Sequence, residues 1–375
     1  MTPIQKATLA AYLKTGTFSG AGKLLGKSRH TVRECIRRLE ALGEVPYRSA
    51  APQPEGVAVP KTTVQFDGAG NVVQEWRRQT PNQDAQDEFV ESLIEKAKGK
   101  LKLPAFPNRK KSGKRNTLYE IDIYDPHLGL YAAEKETLDK NYDTKIAADR
   151  MLSAVDELAS RANNPEKVCL VFGGDMLHSE NRLNQTSESG HALDVDSRLK
   201  RNISYLVATC REAVLIASKI ASKVTVIPVA GNHDYHALQW LPEVLKAAYE
   251  NEPRIEVINT PTARKSLVYG NNLLAWAHGD KIAASKWAQI IAAEFPKQWG
   301  ATIYRHVKLG HIHHKKTVAP VIVDEQSGCL VEYLEALTAT DAWHSAKGFV
   351  GNQKGASAFE YDKEAGLRTR HFFTV

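Results

Sequence analysis

VTVIPVAGNHDYHALQW, residues 224–240, runs a β-branched segment straight into a cluster of polar side chains. Val224 to Val229 read as a buried strand that ends at Gly231, and Asn232, His233 and Asp234 follow at once. An amide, an imidazole and a carboxylate at the mouth of a core strand are groups that hold cations and move protons. The question is whether other strand ends in the chain carry the same kind of group.

Four more do. LYEIDIYDPHLG ends in Asp125 and His127, VCLVFGGDMLH in Asp175 and His178, LLAWAHGD in His278, and HVKLGHIHH in His311 and His313. Helical stretches separate these runs, among them KIAADRMLSAVDELASRA and SRLKRNISYLVATCREAVLIASKIA, and the alternation predicts an α/β domain from Thr117 onward. In such folds the loops at one end of the strands converge, so ligands distant in sequence line one crevice.

Asp125 and His127, like His311 and His313, are spaced i and i+2, which in an extended backbone turns both side chains to the same side. Glycines beside the ligands, at 129, 173, 174, 231, 279 and 310, allow tight turns and close approach of substrate to backbone. Imidazole, carboxylate and amide oxygen together suit divalent manganese, iron or zinc better than calcium, which prefers oxygen alone. Two such ions about 3.5–4 Å apart activate water and clamp the attacking and leaving oxygens of a phosphoryl transfer.

The ordered set Asp-x-His, Gly-Gly-Asp, Gly-Asn-His-Asp, His-Gly, Gly-His-x-His resembles the calcineurin-like metallophosphoesterase superfamily over roughly residues 118–315. The resemblance implies a four-layer α/β/β/α sandwich of two mixed sheets flanked by helices. It implies one metal held by Asp125, His127, Asp175 and His313, and a second by Asp175, Asn232, His278 and His311, with Asp175 shared. It also implies that His233 stabilises the transition state or protonates the leaving oxygen, with Asp234 orienting it; an imidazole titrating near neutrality suits that role. GGDMLH is similar to the second motif of the DNA repair nucleases of the SbcD-like branch, where a histidine in the place of His178 helps position the strand; many other members carry a different polar residue there. His314 points away from the pair, and His191, Arg182, His236 and His344 are candidates to touch substrate phosphate, with ordinary surface side chains the favoured reading for each.

The formal charge of +7 is unevenly distributed. Residues 1–48 hold 9 Lys/Arg against 3 Asp/Glu, and residues 96–115 hold 9 against none, whereas residues 116–375 hold 29 against 32. A polyanion would therefore first meet the N-terminal third. Residues 1–48 predict three short helices, roughly 4–14, 19–25 and 29–42, with Ser19 and Ser28 as N-caps and Gly26 and Gly43 as stops. In the third, Val32, Ile36 and Leu39 form an apolar stripe, and Arg29, His30, Arg33 and Arg37 lie on another face. This N-terminal all-α stretch resembles helix-turn-helix modules, whose third helix enters the DNA major groove; the competing reading is a helical bundle for self-association with solvated arginines.

Boundaries follow composition: a Pro-rich linker over 49–61, a hairpin plus helix over 62–98, a basic linker over 99–116, and the phosphoesterase-like domain over 117–375, closed by a β-hairpin. Cys35, Cys169, Cys210 and Cys329 are scattered, against a zinc knuckle or disulfide framework. No apolar run approaches the roughly eighteen residues of a membrane span, and the N-terminus lacks an unbroken apolar centre, so a cytoplasmic protein without a membrane partner is expected. A homo-oligomer is compatible with the sequence. No ATPase-docking tail follows the last motif, which argues against a large ATPase partner.

Two metal ions, manganese first with iron or zinc as alternatives, acting on DNA as a nuclease, in particular an exonuclease, are the expectation. A phosphatase or cyclic-nucleotide phosphodiesterase, and a DNA-binding regulator with a silent phosphoesterase fold, are the alternatives.

Overall fold

The computed structural model describes residues 2–15, 17–41, 57–66, 72–81, 83–99, 101, 103, 116–137, 139–181, 183–186, 190–312, 323–326 and 328–375. Gly43, Arg182, His313, His314, residues 49–56 of the expected linker and most of the basic tract lie outside them. The chain divides into two compact units, Met1–Asp87 and Glu88–Val375.

In the first unit α1 (Pro3–Thr15), α2 (Phe18–Leu25) and α3 (Arg29–Ala41) enclose a small core of Leu9, Ala11, Ala21, Val32, Ile36 and Leu39. The 3.6-residue period of α3 buries Val32, Ile36 and Leu39 completely and leaves Arg29, His30, Arg33 and Arg37 exposed. Ser28 caps α3, its Oγ accepting the Thr31 amide at 3.0 Å. The cap of α2 is Thr17, not Ser19: Thr17 Oγ1 accepts the Gly20 amide at 3.0 Å, which places Ser19 inside the first turn. Gly26 ends α2 at φ 62°, a conformation a β-carbon disfavours.

The strands β1 (Val57–Phe66) and β2 (Val72–Pro81) pair antiparallel. Residues 57–61, expected in the linker, therefore belong to β1; the pairing slips between Ala58 and Lys61, across Pro60, which has no amide to give the ladder. The helix α4 (Gln83–Ala97) follows. Its Phe89, Leu93 and Ala97, with Leu101 and Leu103, pack on the main core of the second unit.

The second unit is a mixed α/β assembly. It contains β3 (Thr117–Ile123), α5 (Glu134–Thr137), α6 (Thr144–Ser160), β4 (Lys167–Phe172), α7 (Leu199–Ala217), β5 (Val224–Pro228), α8 (Ala237–Ala248) and β6 (Ile255–Val257). After these come β7 (Lys265–Tyr269), β8 (Asn272–Ala277), α9 (Trp287–Glu294), α10 (Pro296–Ala301), β9 (Tyr304–Leu309), β10 (Val323–Gln326), β11 (Cys329–Tyr333), α11 (Ala342–Ala346), β12 (Gly355–Asp362) and β13 (Gly366–Thr374).

One sheet runs β13-β12-β3-β4-β5-β6, with β3 to β6 mutually parallel; the other runs β10-β11-β9-β8-β7, with β8, β9 and β11 parallel. The largest apolar cluster joins one face of the six-stranded sheet to α6, α7 and α8. A second takes Tyr124, Val171 and Ile227 from that sheet and Tyr269, Leu274 and Trp276 from the other. A third sets the far face of β8 and β9 against Trp287, Ala288 and Ile291 of α9. β3, β4 and β5 are buried on both sides; β4 and β5 are accordingly almost continuously apolar, whereas β3 also buries Glu120 and Asp122. Among the described residues no helix is long and apolar enough to cross a membrane, and the four cysteines are free thiols, three of them buried.

Candidate metal centre

Parallel strands put their C-terminal ends on one edge, and each of the five motif-bearing strands delivers its polar group there. Asp125 and His127 follow β3, Asp175 and His178 follow β4, Asn232 to Asp234 follow β5, His278 follows β8 and His311 follows β9. Ligand atoms of Asp125, His127 and Asp175 lie within 4.8 Å of one another; so do those of Asp175, His278 and His311, and those of His127, His178 and His233. Asp175 belongs to the first two groups. His278 Nε2 is 2.9 Å from Asn232 Oδ1 and 3.2 Å from Asp175 Oδ2, and His278 Nδ1 is 3.8 Å from Asp125 Oδ1.

The backbone is bent to achieve this. Asp125 (φ 49°), His127 (φ 44°), Asp175 (φ 47°) and His311 (φ 67°) all adopt the left-handed region, which costs energy for residues with a β-carbon and concentrates at functional sites. The expected i, i+2 alternation of an extended chain is therefore not what brings Asp125 and His127 together; two left-handed turns do. Gly231 is required by contact rather than by φ, since a β-carbon there would stand 2.1 Å from Asp175 Oδ1 and 2.3 Å from its amide nitrogen.

Asp125, His127, Asp175, His178 and His278 are buried, whereas Asn232, His233 and His311 are partly exposed and form the open side. Burial opposes ionisation of Asp175, but His278, His233 and His127 around it hold its carboxyl well below the ordinary range. Burial likewise works against protonation of His278, yet Asp175 and then Asp125 raise it to about 10. His178 moves the other way, to about 3, through burial and the neighbouring His233.

The residues fit divalent cations. Two buried carboxylates and several imidazoles converge, and Asp175 Oδ2 accepts no hydrogen bond despite lying 3.2 Å from His278 Nε2 and 3.7 Å from His127 Nε2. A buried carboxylate oxygen aimed among ring nitrogens without hydrogen-bond geometry to any of them is disposed as a ligand.

Asp234 does something other than orient His233. Its Oδ2 accepts the amides of Met176 (2.6 Å) and Leu177 (3.1 Å), and its Oδ1 accepts that of Gly231 (2.9 Å), so it ties the loop after β5 to the loop after β4. Burial, then Asp175, push this carboxyl up to about 8. The ring of His233 is held instead by Nδ1 against the His178 carbonyl at 2.7 Å; a carbonyl only accepts, so Nδ1 carries the proton. The His233 amide donates to Asp175 Oδ1 at 2.8 Å. His178 itself sits against His127, Nδ1 to Nδ1 at 3.2 Å, and its ring stacks on His233 with centroids 5.3 Å apart.

His191 and His236 are exposed; the His236 amide donates to Glu180 at 2.7 Å. His344 pairs with Asp341, the N-cap of α11, at 2.8 Å. The Thr338 amide, on the segment before α11, donates to the Asp125 carbonyl at 3.1 Å. No motif marks this segment in the sequence.

No family model matches the sequence, and no curated protein matches it. Among solved structures the chain is similar to a predicted phosphoesterase from Streptococcus pneumoniae TIGR4, at 10% identity over 69% of this chain and 98% of that one, with a TM-score of 0.28. It is also similar to single and double mutants of Vps29 from Entamoeba histolytica, at 12% and 13% identity over 69% of this chain and 99% of those, each with a TM-score of 0.25. Likenesses this distant carry no weight for fold or activity.

Proposed function

We propose that the chain is a calcineurin-like metallophosphoesterase that hydrolyses DNA phosphodiesters. The observation that carries the hydrolytic part is Asp175, shared between two ligand groups whose other members come from three further strand ends. The succession of helices, six-stranded sheet, five-stranded sheet and α9 supports the four-layer sandwich that the motif order implies.

On this reading Asp125, His127 and Asp175, joined by His313, hold one cation, and Asp175, Asn232, His278 and His311 hold the other, with manganese the first choice. The pair would supply Lewis-acid stabilisation of phosphoryl charge and lower the pKa of water. The chain's own residues do the rest. His233, fixed through Nδ1 by the His178 carbonyl, keeps Nε2 for the substrate side; with the ring doubly protonated, Nε2 gives its proton to the leaving oxygen and the ring is left as the neutral Nδ1–H form. His178 packs behind that ring, and Asp234 keeps the loops bearing Asp175 and His233 at a fixed separation.

DNA as substrate is supported by charge and by the exposed row Arg29, His30, Arg33 and Arg37 on α3, backed by its buried stripe. Incubation with manganese and end-labelled linear, circular and single-stranded DNA tests it. Cleavage is expected, and loss of end label from linear but not circular DNA would mark an exonuclease. Turnover of small phosphoesters with DNA left intact would overturn the nuclease assignment. His233→Ala is expected to lower kcat by about 10²–10⁴ with metal content unchanged; full activity in that variant would remove His233 from its role.

A further inference from the structure

Between the two sheets, on the strands that lead to the metal centre, lies a buried charged cluster. Lys308 of β9 is wholly buried, and its Nζ reaches both oxygens of the equally buried Glu120 of β3, at 2.9 and 3.0 Å. Trp276 of β8, the cross-strand partner of Lys308, donates Nε1 to Glu120 Oε1 at 2.7 Å. The ammonium also stands 5.1 Å from the Trp276 ring, 4.9 Å from Tyr361 and 5.6 Å from Phe359.

A buried ion pair is a weak source of stability, because desolvating both charges consumes most of their attraction; apolar side chains of the same volume often do as well or better. What the pair does provide is direction. Glu120 can satisfy Lys308 and Trp276 together at one lateral register of the two sheets, which share no ladder of their own.

That register matters because of where the three residues stand. Glu120 lies five residues before Asp125, Trp276 two before His278, and Lys308 three before His311. Tyr124, next to Asp125, adds a spacer: its hydroxyl donates to the Lys308 carbonyl at 3.2 Å. Its ring fills the room left by Gly173 and Gly310, where β-carbons would approach it to 2.3 Å. At the top of this stack the His311 amide meets Asp125 Oδ2 at 2.9 Å.

We propose that Glu120, Lys308 and Trp276 form a positioning clamp that sets the separation and register of the two sheets, and through them the approach of His278 and His311 to Asp175. The clamp thereby governs occupancy of the cation site that takes His278 and His311 from the second sheet, while the site of Asp125, His127 and Asp175, to which the second sheet would give only His313, depends on it less. This rests on the metal reading of the centre.

The test uses the full chain carrying Glu120→Gln together with Lys308→Met, a neutral pair of similar volume, and separately Trp276→Phe, which removes the Nε1 hydrogen bond and keeps a smaller aromatic ring beside Lys308. Two readouts apply, each at matched thermal stability. In protein stripped of metal, hydrogen exchange at the His311 amide is expected to quicken about tenfold or more in the double variant and less in Trp276→Phe. In Co²⁺ titrations the first equivalent is expected to bind as in the wild type and the second about 10–100-fold more weakly, with altered d–d bands. Wild-type exchange at His311 together with wild-type Co²⁺ affinities and spectrum in a folded double variant would overturn the clamp. Should that variant fail to fold, unchanged exchange and spectra in Trp276→Phe would do so. If the wild-type protein took up no Co²⁺, the metal reading would fall, and exchange at His311 would still decide the clamp.

Discussion

The main-chain amide of His311 donates to Asp125 Oδ2 across 2.9 Å, joining the end of β9 in one sheet to the end of β3 in the other. The same carboxylate stands within ligand distance of His127 and of Asp175, a second buried carboxylate. Two carboxylates held together out of water repel, and the fold tolerates that for the sake of the charge it concentrates. Replacing Asp125 by Asn keeps an oxygen for the His311 amide and removes the repulsion. Asp125→Asn also removes the attraction of Asp125 for His278, so the melting temperature of metal-stripped protein is expected to move by no more than a few degrees, while most of the further rise that excess Mn²⁺ gives the wild type is forfeited. Melting curves with and without Mn²⁺ check both halves; a variant stabilised by Mn²⁺ as strongly as the wild type would remove Asp125 from the ligand set.

Gly231 offers a steric test. A methyl group there collides with both the carboxylate and the amide nitrogen of Asp175, and neither can retreat, because Asp175 is wholly buried. Overpacking of this kind costs about 1–3 kcal/mol, and displacing the shared ligand costs more in activity than in stability. Gly231→Ala should still fold but lose at least about 100-fold in kcat/KM. Parallel measurement of unfolding free energy and phosphoesterase activity decides it; an active variant would mean that Asp175 has more freedom than its surroundings show.

The nucleic-acid reading makes a prediction about salt. Arg33 and Arg37 are exposed on the basic face of α3, away from the stripe of Val32, Ile36 and Leu39. If they contact phosphates, replacing both with Ala should weaken DNA binding across all sequences and flatten the slope of log affinity against log salt by about 2. Hydrolysis of a small phosphoester should be unchanged. An unaltered salt slope would leave α3 as part of a helical bundle with solvated arginines.

How much of this could be read in advance depends on whether a residue's task is local. The five strand ends were legible because a run of β-branched residues meeting Gly, His and Asp is written in adjacent letters. The helices of the first 41 residues were legible through periodicity, although Thr17 took the cap expected of Ser19, a choice between neighbouring hydroxyls that turns on the backbone angle of Thr17. The left-handed turns at Asp125, His127, Asp175 and His311 could not be placed in advance, since Asp and His take positive φ more often than most residues yet still only rarely. Asp234 could be placed at the site but not given its work, because its partners Met176 and Leu177 belong to another loop. Glu120, Trp276 and Lys308 sit in runs that otherwise read as plain strand, and only the facing of two sheets shows why charge is there. His313 lies outside the described residues and keeps the standing the motif gave it.

The last prediction concerns pH and a group well away from the ligands. His306 is buried, with Nδ1 2.7 Å from the Tyr361 hydroxyl and Nε2 3.2 Å from Glu332 Oε2, and Arg370 pairs with Glu332 behind it. Burial first, then the charges of Lys308 and Arg370, hold this imidazole well below its usual 6.5, so it stays neutral in the folded protein. Once unfolded it takes up a proton as pH falls below about 6.5, a proton the folded state refuses. More protons on the unfolded side mean that stability falls as pH falls through that window, by up to about 1.4 kcal/mol per pH unit from this one group. His306→Gln keeps a donor and an acceptor but cannot titrate. Urea unfolding between pH 7 and pH 5 should therefore give a shallower decline for His306→Gln than for the wild type, even where the variant is less stable at pH 7. Parallel declines would show that His306 accepts its proton within the fold, and that the polar layer between the sheets is more accessible than its burial implies.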